Sequence, residues 1–303
     1  MRSVAFDPTM LTSQKLAAGL NWHDYGGSGE PIVLVHGLGG SLANWHAVGP
    51  AFSKLGRTVA LDLPGFGLSR PRSDFHLTTH AAAVTDFIDT IGASQLTLVG
   101  NSLGGLVCEM VASRRPDLVS KLVLVSPATP PRFPDDRLHW PTQLRLAAEA
   151  IPGVGLALGN LVRHKYSPEE IVDLSLRLIT HEPSRVPPDV VESFVDLARE
   201  RVDFPWAVKA LTRTANSIAM TYRRPRDFVR MIRRIEAPTL IVQGLADQIV
   251  SPGWVEWLHS LRSDWDLVQM EDTGHTPQLD APVRFIKVVD DWLSRGRDAR
   301  GKS

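Results

Sequence analysis

The chain has 303 residues, 43% hydrophobic and 22% charged, which suits a globular protein of one large or two smaller domains. Lysine plus arginine equals aspartate plus glutamate at 33 each, so no net charge is available to gather nucleic acid or an anionic membrane. The single cysteine, Cys108, excludes an internal disulfide and fits a reducing compartment.

The N-terminal stretch "MRSVAFDPTMLTSQK" has no apolar run of signal-peptide length. No segment approaches the ~18 apolar residues of a membrane span. A cytoplasmic location is therefore expected. Short apolar runs bounded by turn residues follow: "PIVLVHG" (31–37), "TVALDLPG" (58–65), "QLTLVGNS" (95–102) and "KLVLVSPA" (121–128). "PTLIVQGLAD" (238–247) and "DLVQMEDTGH" (266–275) continue the series. Near-continuous apolar strands imply a sheet buried on both faces, hence parallel. Helical stripes alternate with them. Val84, Phe87, Ile88 and Ile91 end at Gly92; Leu103, Leu106, Val107, Met110 and Val111 form a second stripe. Phe285, Val288, Val289, Trp292 and Leu293 form a third, before a polar tail (294–303) expected to fray. The expected fold class is α/β, a doubly wound, mostly parallel sheet.

Residues 129–235 break the rhythm with helices separated by prolines. The organisation expected is a core in two parts, 1–128 and 236–303, with a helical insertion at 129–235.

Residues 100–104, Gly-Asn-Ser-Leu-Gly, fit G-x-S-x-G between an apolar strand and a helical stripe. A nucleophile at so sharp a turn sits in strained backbone, and its neighbours two positions away must be small. The turn lifts the Ser102 hydroxyl above the sheet edge and aims the first helix amides beside it. A serine hydroxyl needs a base, and the base an orienting group. Of ten histidines, His275 follows a strand end on the edge where open α/β sheets bind ligands. Asp247 follows another strand end; Asp264, Asp266 and Asp272 are nearby alternatives.

These motifs together resemble the α/β-hydrolase superfamily over nearly the whole chain. "VLVHGLGGS" (33–41) resembles its His-Gly oxyanion loop and "LDLPGFGLS" (61–69) its D-x-P-G-x-G-x-S turn. "GNSLGG" resembles the elbow, "PTLIVQGLADQIV" the acid strand and "TGHTPQLDAP" the histidine loop. The resemblance implies Ser102 as nucleophile, His275 as general base and acid, Asp247 as its orienter, and a helical cap after the sixth strand. It implies an oxyanion hole from the backbone N–H groups of Leu103 and Leu38, with Gly37 and Gly39 as rivals for the second. The chain has no H-E-x-x-H, no Walker loop and no convincing G-x-G-x-x-G, so neither a metal nor another cofactor is expected.

An uncharged or weakly polar, apolar small-molecule ester comes first as substrate. Asn101 beside the serine resembles C–C bond hydrolases of ring-cleavage products. Those tend to carry a Gly-Pro-Gly run and a tryptophan after the histidine, where this chain has Gly37-Leu38-Gly39-Gly40 and Thr276. A non-catalytic ligand-binding protein on the same fold is the third reading. Phe133, Trp140, Phe194, Phe204 and Trp206 either line an acyl pocket or pack the cap interior. "IPGVGLALGNLV" (151–162), broken by glycines, reads as cap interior, or else as a segment in peripheral contact with a membrane. "YRRPRDFVRMIRR" (222–234), with six arginines, reads as a solvated helix face, its alternatives an anion site or a membrane-facing patch. His76 and His80 read as a helix-entry surface rather than a metal pair, and Cys108 as a buried packing residue.

Overall fold

The computed structural model describes residues 15–300; the N-terminal stretch up to residue 14 and the last three residues of the tail lie outside the described residues. The strands are β1 (Lys15–Ala17), β2 (Leu20–Gly26), β3 (Pro31–Val35), β4 (Arg57–Leu61), β5 (Leu96–Asn101), β6 (Val119–Val125), β7 (Thr239–Gly244) and β8 (Asp266–Met270). They form one eight-stranded sheet in the order β1-β2-β4-β3-β5-β6-β7-β8. From β4 to β8 every pairing is parallel; β1–β2 and β2–β4 are antiparallel. The six apolar runs of the sequence are β3 to β8. The antiparallel pair β1–β2 was not foreseen, because "LNWHDYG" is polar and mostly half-buried.

Side-chain alternation explains the unbroken apolar runs. Val33, Val35, Leu98, Leu122, Leu124 and Ile241 point into one core; Ile32, Leu34, Val99, Val123, Val125, Leu240 and Val242 point into the other. A one-residue slip of any central strand would exchange the two sets, so packing on both faces pins the register.

The helices that flank the strands are α1 (Gly49–Phe52), α2 (Leu77–Thr90) and α3 (Leu103–Arg114). α2 ends where expected: Ile91 caps it and Gly92 takes φ +68°. Between β6 and β7 every described element is helical: α4 (Trp140–Ala150), α5 (Pro152–Lys165), α6 (Pro168–Ile179), α7 (Pro188–Arg201), α8 (Ala207–Tyr222) and α9 (Pro225–Arg233), with one 3-10 turn at Pro183–Arg185. After β7 come α10 (Pro252–Ser260), α11 (Pro277–Asp280) and α12 (Pro282–Arg300). α12 carries the tail on as helix to Arg300, so the fraying expected from residue 294 does not begin there.

Several local expectations change. The glycines of 151–162 do not break the segment, which is the continuous helix α5. A Cβ on Gly155 would lie 2.9 Å from Thr212 Cγ2 and one on Gly159 2.5 Å from Val208 Cγ1, so these glycines let α5 approach α8 closely. Ile151, Val154, Leu158 and Leu161 are exposed rather than interior. Phe133 and Trp140 stack on each other and are 61% and 56% exposed, whereas Phe194 packs in a small core of its own. His76 stands at the entry of α2, but His80 is buried and bonded to Thr214 Oγ1 at 3.1 Å, because its turn of α2 faces α8.

Candidate active site

β5 runs straight into α3 through Ser102, whose backbone sits at φ 53°, ψ −117°, a region L-residues rarely occupy. The glycines on either side make this turn sterically feasible. A Cβ on Gly100 would run into the Gly104 carbonyl and lie 2.7 Å from Cys108 Sγ. One on Gly104 would run into the carbonyl of Val35, at the end of β3. The turn is fastened by Ser102 N–H donating to the Val125 carbonyl at 2.9 Å and Ala128 N–H to the Ser102 carbonyl at 3.0 Å. Cys108 is fully buried and burial pushes its thiol well up, so it packs the elbow from below.

Residues 37–40 turn beside it. Gly40 N–H donates to the Gly37 carbonyl at 3.1 Å and Gly39 takes φ +75°, the geometry a type II turn asks of its third residue. A Cβ on Gly37 would lie 3.2 Å from Ser102 Cβ, so this turn lies against the elbow. Among the described residues, no acceptor meets the Leu38 N–H. The Leu103 N–H is the first of α3, one of the four that a helix leaves without an internal partner. His36 anchors the turn from beneath. Leu63 N–H donates to its Nε2 at 3.0 Å, so Nδ1 carries the hydrogen and donates to the Gly37 carbonyl at 2.7 Å. Burial lowers its pKa to about 3, which keeps the imidazole neutral. Asp62, in the following turn, accepts from Asn21 Nδ2, Leu42 N–H and Leu68 N–H at 2.7–2.8 Å. Burial raises its pKa, and those three bonds oppose the rise.

His275 and Asp247 meet directly. His275 Nδ1 lies 2.8 Å from Asp247 Oδ2, both side chains almost wholly buried. The carboxylate only accepts, so Nδ1 donates and Nε2 keeps its lone pair. Asp247 Oδ2 also accepts from Gln243 Nε2 at 3.1 Å, and Oδ1 from the N–H groups of Ile249 and Val250 at 2.8 and 3.0 Å. The rival acids are engaged elsewhere: Asp264 pairs with Arg262, Asp266 accepts from Trp292 Nε1, and Asp272 turns the chain at φ 51°.

Asn101 links the serine to the histidine. Its Nδ2 donates to the carbonyls of Val125 at 3.0 Å and His275 at 3.1 Å. Among the described residues no hydrogen bond joins the Ser102 hydroxyl to His275. Ser102 is 8% exposed.

Asp280, which carries no motif of its own, braces the histidine loop. Its carboxylate accepts from Gly274 N–H at 2.7 Å, His181 N–H at 2.9 Å and Glu182 N–H at 3.2 Å. Beside it, both N–H and Oγ1 of Thr276 donate to the Ile179 carbonyl, at 3.1 and 3.0 Å. The histidine loop is thus strapped to the end of α6. No sequence periodicity marks an acid in this role; its place between two prolines was the available signal. Among the described residues, no group of three or more His, Cys, Asp or Glu side chains could hold a metal ion.

A sequence model of the family described as alpha/beta hydrolase fold matches residues 30–282. The chain is 28% identical over 277 residues to the uncharacterized protein Rv2715 of Mycobacterium tuberculosis strain H37Rv, covering 88% of this chain and 76% of that one. It is 27% identical over 294 residues to the 2-hydroxy-6-oxo-2,4-heptadienoate hydrolase of Pseudomonas putida strain F1, covering 92% and 95%. A putative lipase from Acinetobacter baumannii AYE shares the fold at a TM-score of 0.74 and 21% identity, over 98% of this chain and 99% of that chain.

Proposed function

From the plain fact that this chain belongs to the alpha/beta hydrolase family, we infer that it is a serine hydrolase cleaving a carboxylic ester by acyl transfer. The observation that carries the reading is the buried 2.8 Å bond between His275 and Asp247, on a loop tied through Asn101 to the left-handed Ser102. In the proposed reaction Ser102 Oγ attacks the ester carbonyl while His275 Nε2 takes its proton. The N–H groups of Leu38 and Leu103 receive the oxyanion; losing one such donor typically costs about 2.7–4 kcal/mol. The C–O bond then breaks, the imidazolium protonates the departing alcohol, and the acyl group stays on Ser102. Water, deprotonated by Nε2, releases the acid. Asp247 holds the imidazole in the tautomer that both half-reactions use. Residues 129–235 act as a cap that selects the substrate.

A fluorophosphonate probe should label the protein, and Ser102→Ala should abolish labelling. Labelling that persists in that variant removes Ser102 as nucleophile. A second reading, C–C hydrolysis, is favoured by one observation, the match over 95% of a relative named a 2-hydroxy-6-oxo-2,4-heptadienoate hydrolase. The buried Asn101 does not favour it further, since its amide is spent on two backbone carbonyls. Parallel assays of p-nitrophenyl esters and of ring-cleavage products separate the two.

A further inference from the structure

α9 presents two unlike faces. Phe228 and Ile232 are buried, whereas Arg226, Val229, Arg230 and Arg233 recur at i, i+3, i+4 and i+7. A stripe of arginines usually lies on a convex, solvated surface. Here the arginines, exposed to solvent, border an open concavity of about 540 Å³, together with Arg234 and, from the segment after β6, the half-buried Arg132. Arg132 is held in place: its guanidinium carbon sits 3.6 Å from the ring centroid of Trp257, which stacks on Phe228 of α9. Its Nε is sealed from solvent and has no acceptor among the described residues. Asp227 pairs with Arg230 at 3.2 Å, but Arg132, Arg226, Arg233 and Arg234 have no carboxylate partner among the described residues. The chain as a whole is neutral, so this concentration of charge is not a by-product of a basic composition.

We propose that this basin is a binding site for a phosphate-bearing anion. Guanidinium forks match phosphate oxygens bidentately, and a phosphate group concentrates charge and acceptors on one centre, which suits five arginines bordering one basin. Pro225 and Val229 supply an apolar floor for the rest of the ligand. The phosphate belongs either to a soluble ester or to an anionic lipid headgroup; the chemistry at the basin is the same. The site is separate from Ser102, His275 and Asp247 and does not depend on the bond they cleave.

The test uses the full chain, tripolyphosphate followed by calorimetry, and co-sedimentation with phosphatidylglycerol or phosphatidylcholine vesicles. Binding of tripolyphosphate, or of phosphatidylglycerol but not phosphatidylcholine vesicles, is expected; the first outcome points to a soluble ligand and the second to a headgroup. The triple variant Arg226→Gln/Arg230→Gln/Arg233→Gln, and separately Arg132→Gln, should weaken that binding by about tenfold or more. Both should keep the ester turnover of the wild type, and the triple variant its melting temperature; Arg132→Gln gives up the stacking on Trp257 and should melt slightly lower while staying folded. The proposal is overturned if neither probe binds, if citrate binds as tightly as tripolyphosphate, or if folded variants bind as the wild type does.

Discussion

Replacing Asp280 by alanine is the sharpest probe of how the histidine loop is held. The substitution leaves three N–H groups without their acceptor. Gly274 is buried, so its orphaned N–H carries the full penalty, about 1–3 kcal/mol. His181 and Glu182 lie at the surface, where water can replace much of the carboxylate, so each counts about 0.5–1 kcal/mol. The sum is about 2–5 kcal/mol, which at about 2–4 °C per kcal/mol lowers the melting temperature by about 4–20 °C. Asp280→Asn keeps one carbonyl acceptor and should fall between the wild type and the alanine variant. Because His275 directly follows Gly274, a loop displaced by about 1 Å should also cost about 100-fold in kcat/KM on a p-nitrophenyl ester. Thermal melts and steady-state assays on all three proteins test this. An alanine variant melting within about 2 °C of the wild type with unchanged kcat/KM refutes the bracing role.

Other perturbations follow from packing and protonation. Gly100→Ala should destabilise by about 1–3 kcal/mol or prevent folding, because the added methyl meets the Gly104 carbonyl; chemical denaturation measures it. Glu109 is fully buried on α3 with neither carboxyl oxygen bonded among the described residues, and burial raises its pKa well above 4.5. Its folded form therefore keeps a proton that the unfolded chain loses above about pH 4.5, and stability falls with rising pH until the folded group itself titrates. Glu109→Gln should match the wild type near pH 4 and melt higher at pH 8; equal melting at pH 8 contradicts this. His36 and His46 are lowered to about 3, and His80 to about 4, in each case chiefly by burial. Each contributes stability above about pH 6.5 that is lost as pH falls towards those values, at up to about 1.4 kcal/mol per pH unit. His80→Gln, which can still bond Thr214, should make that acid limb shallower by about one proton; an unchanged slope would rule out a neutral His80.

Much of this was readable from short-range pattern. The six central strands, the stop of α2 at Gly92 and the serine between Gly100 and Gly104 follow from local sterics and periodicity. Asp247 was separable from three other acids by its place just past β7. What escaped depended on contacts made across the chain. β1 is only three residues long and β2 is a largely polar ribbon, so both are recognisable only by what they pair with. The glycines of α5 look like breaks until Val208 and Thr212 of α8 are seen against them. His80 looked like surface because the helix that covers it lies more than a hundred residues away. Asp280 looked like one more loop carboxylate, because its donors at 181 and 182 belong to another part of the chain.

The strap between Ile179, Thr276 and Asp280 joins a helix of the 129–235 insertion to the loop that carries His275. An outward swing of α6 would pull on the residue next to His275, so the position of that imidazole and the position of α6 are mechanically coupled. On the other side α4 reaches the acid's loop instead, where Gln143 Nε2 donates to the carbonyls of Gln248 and Ile249, so the two halves of the His275–Asp247 pair are tied to different cap helices.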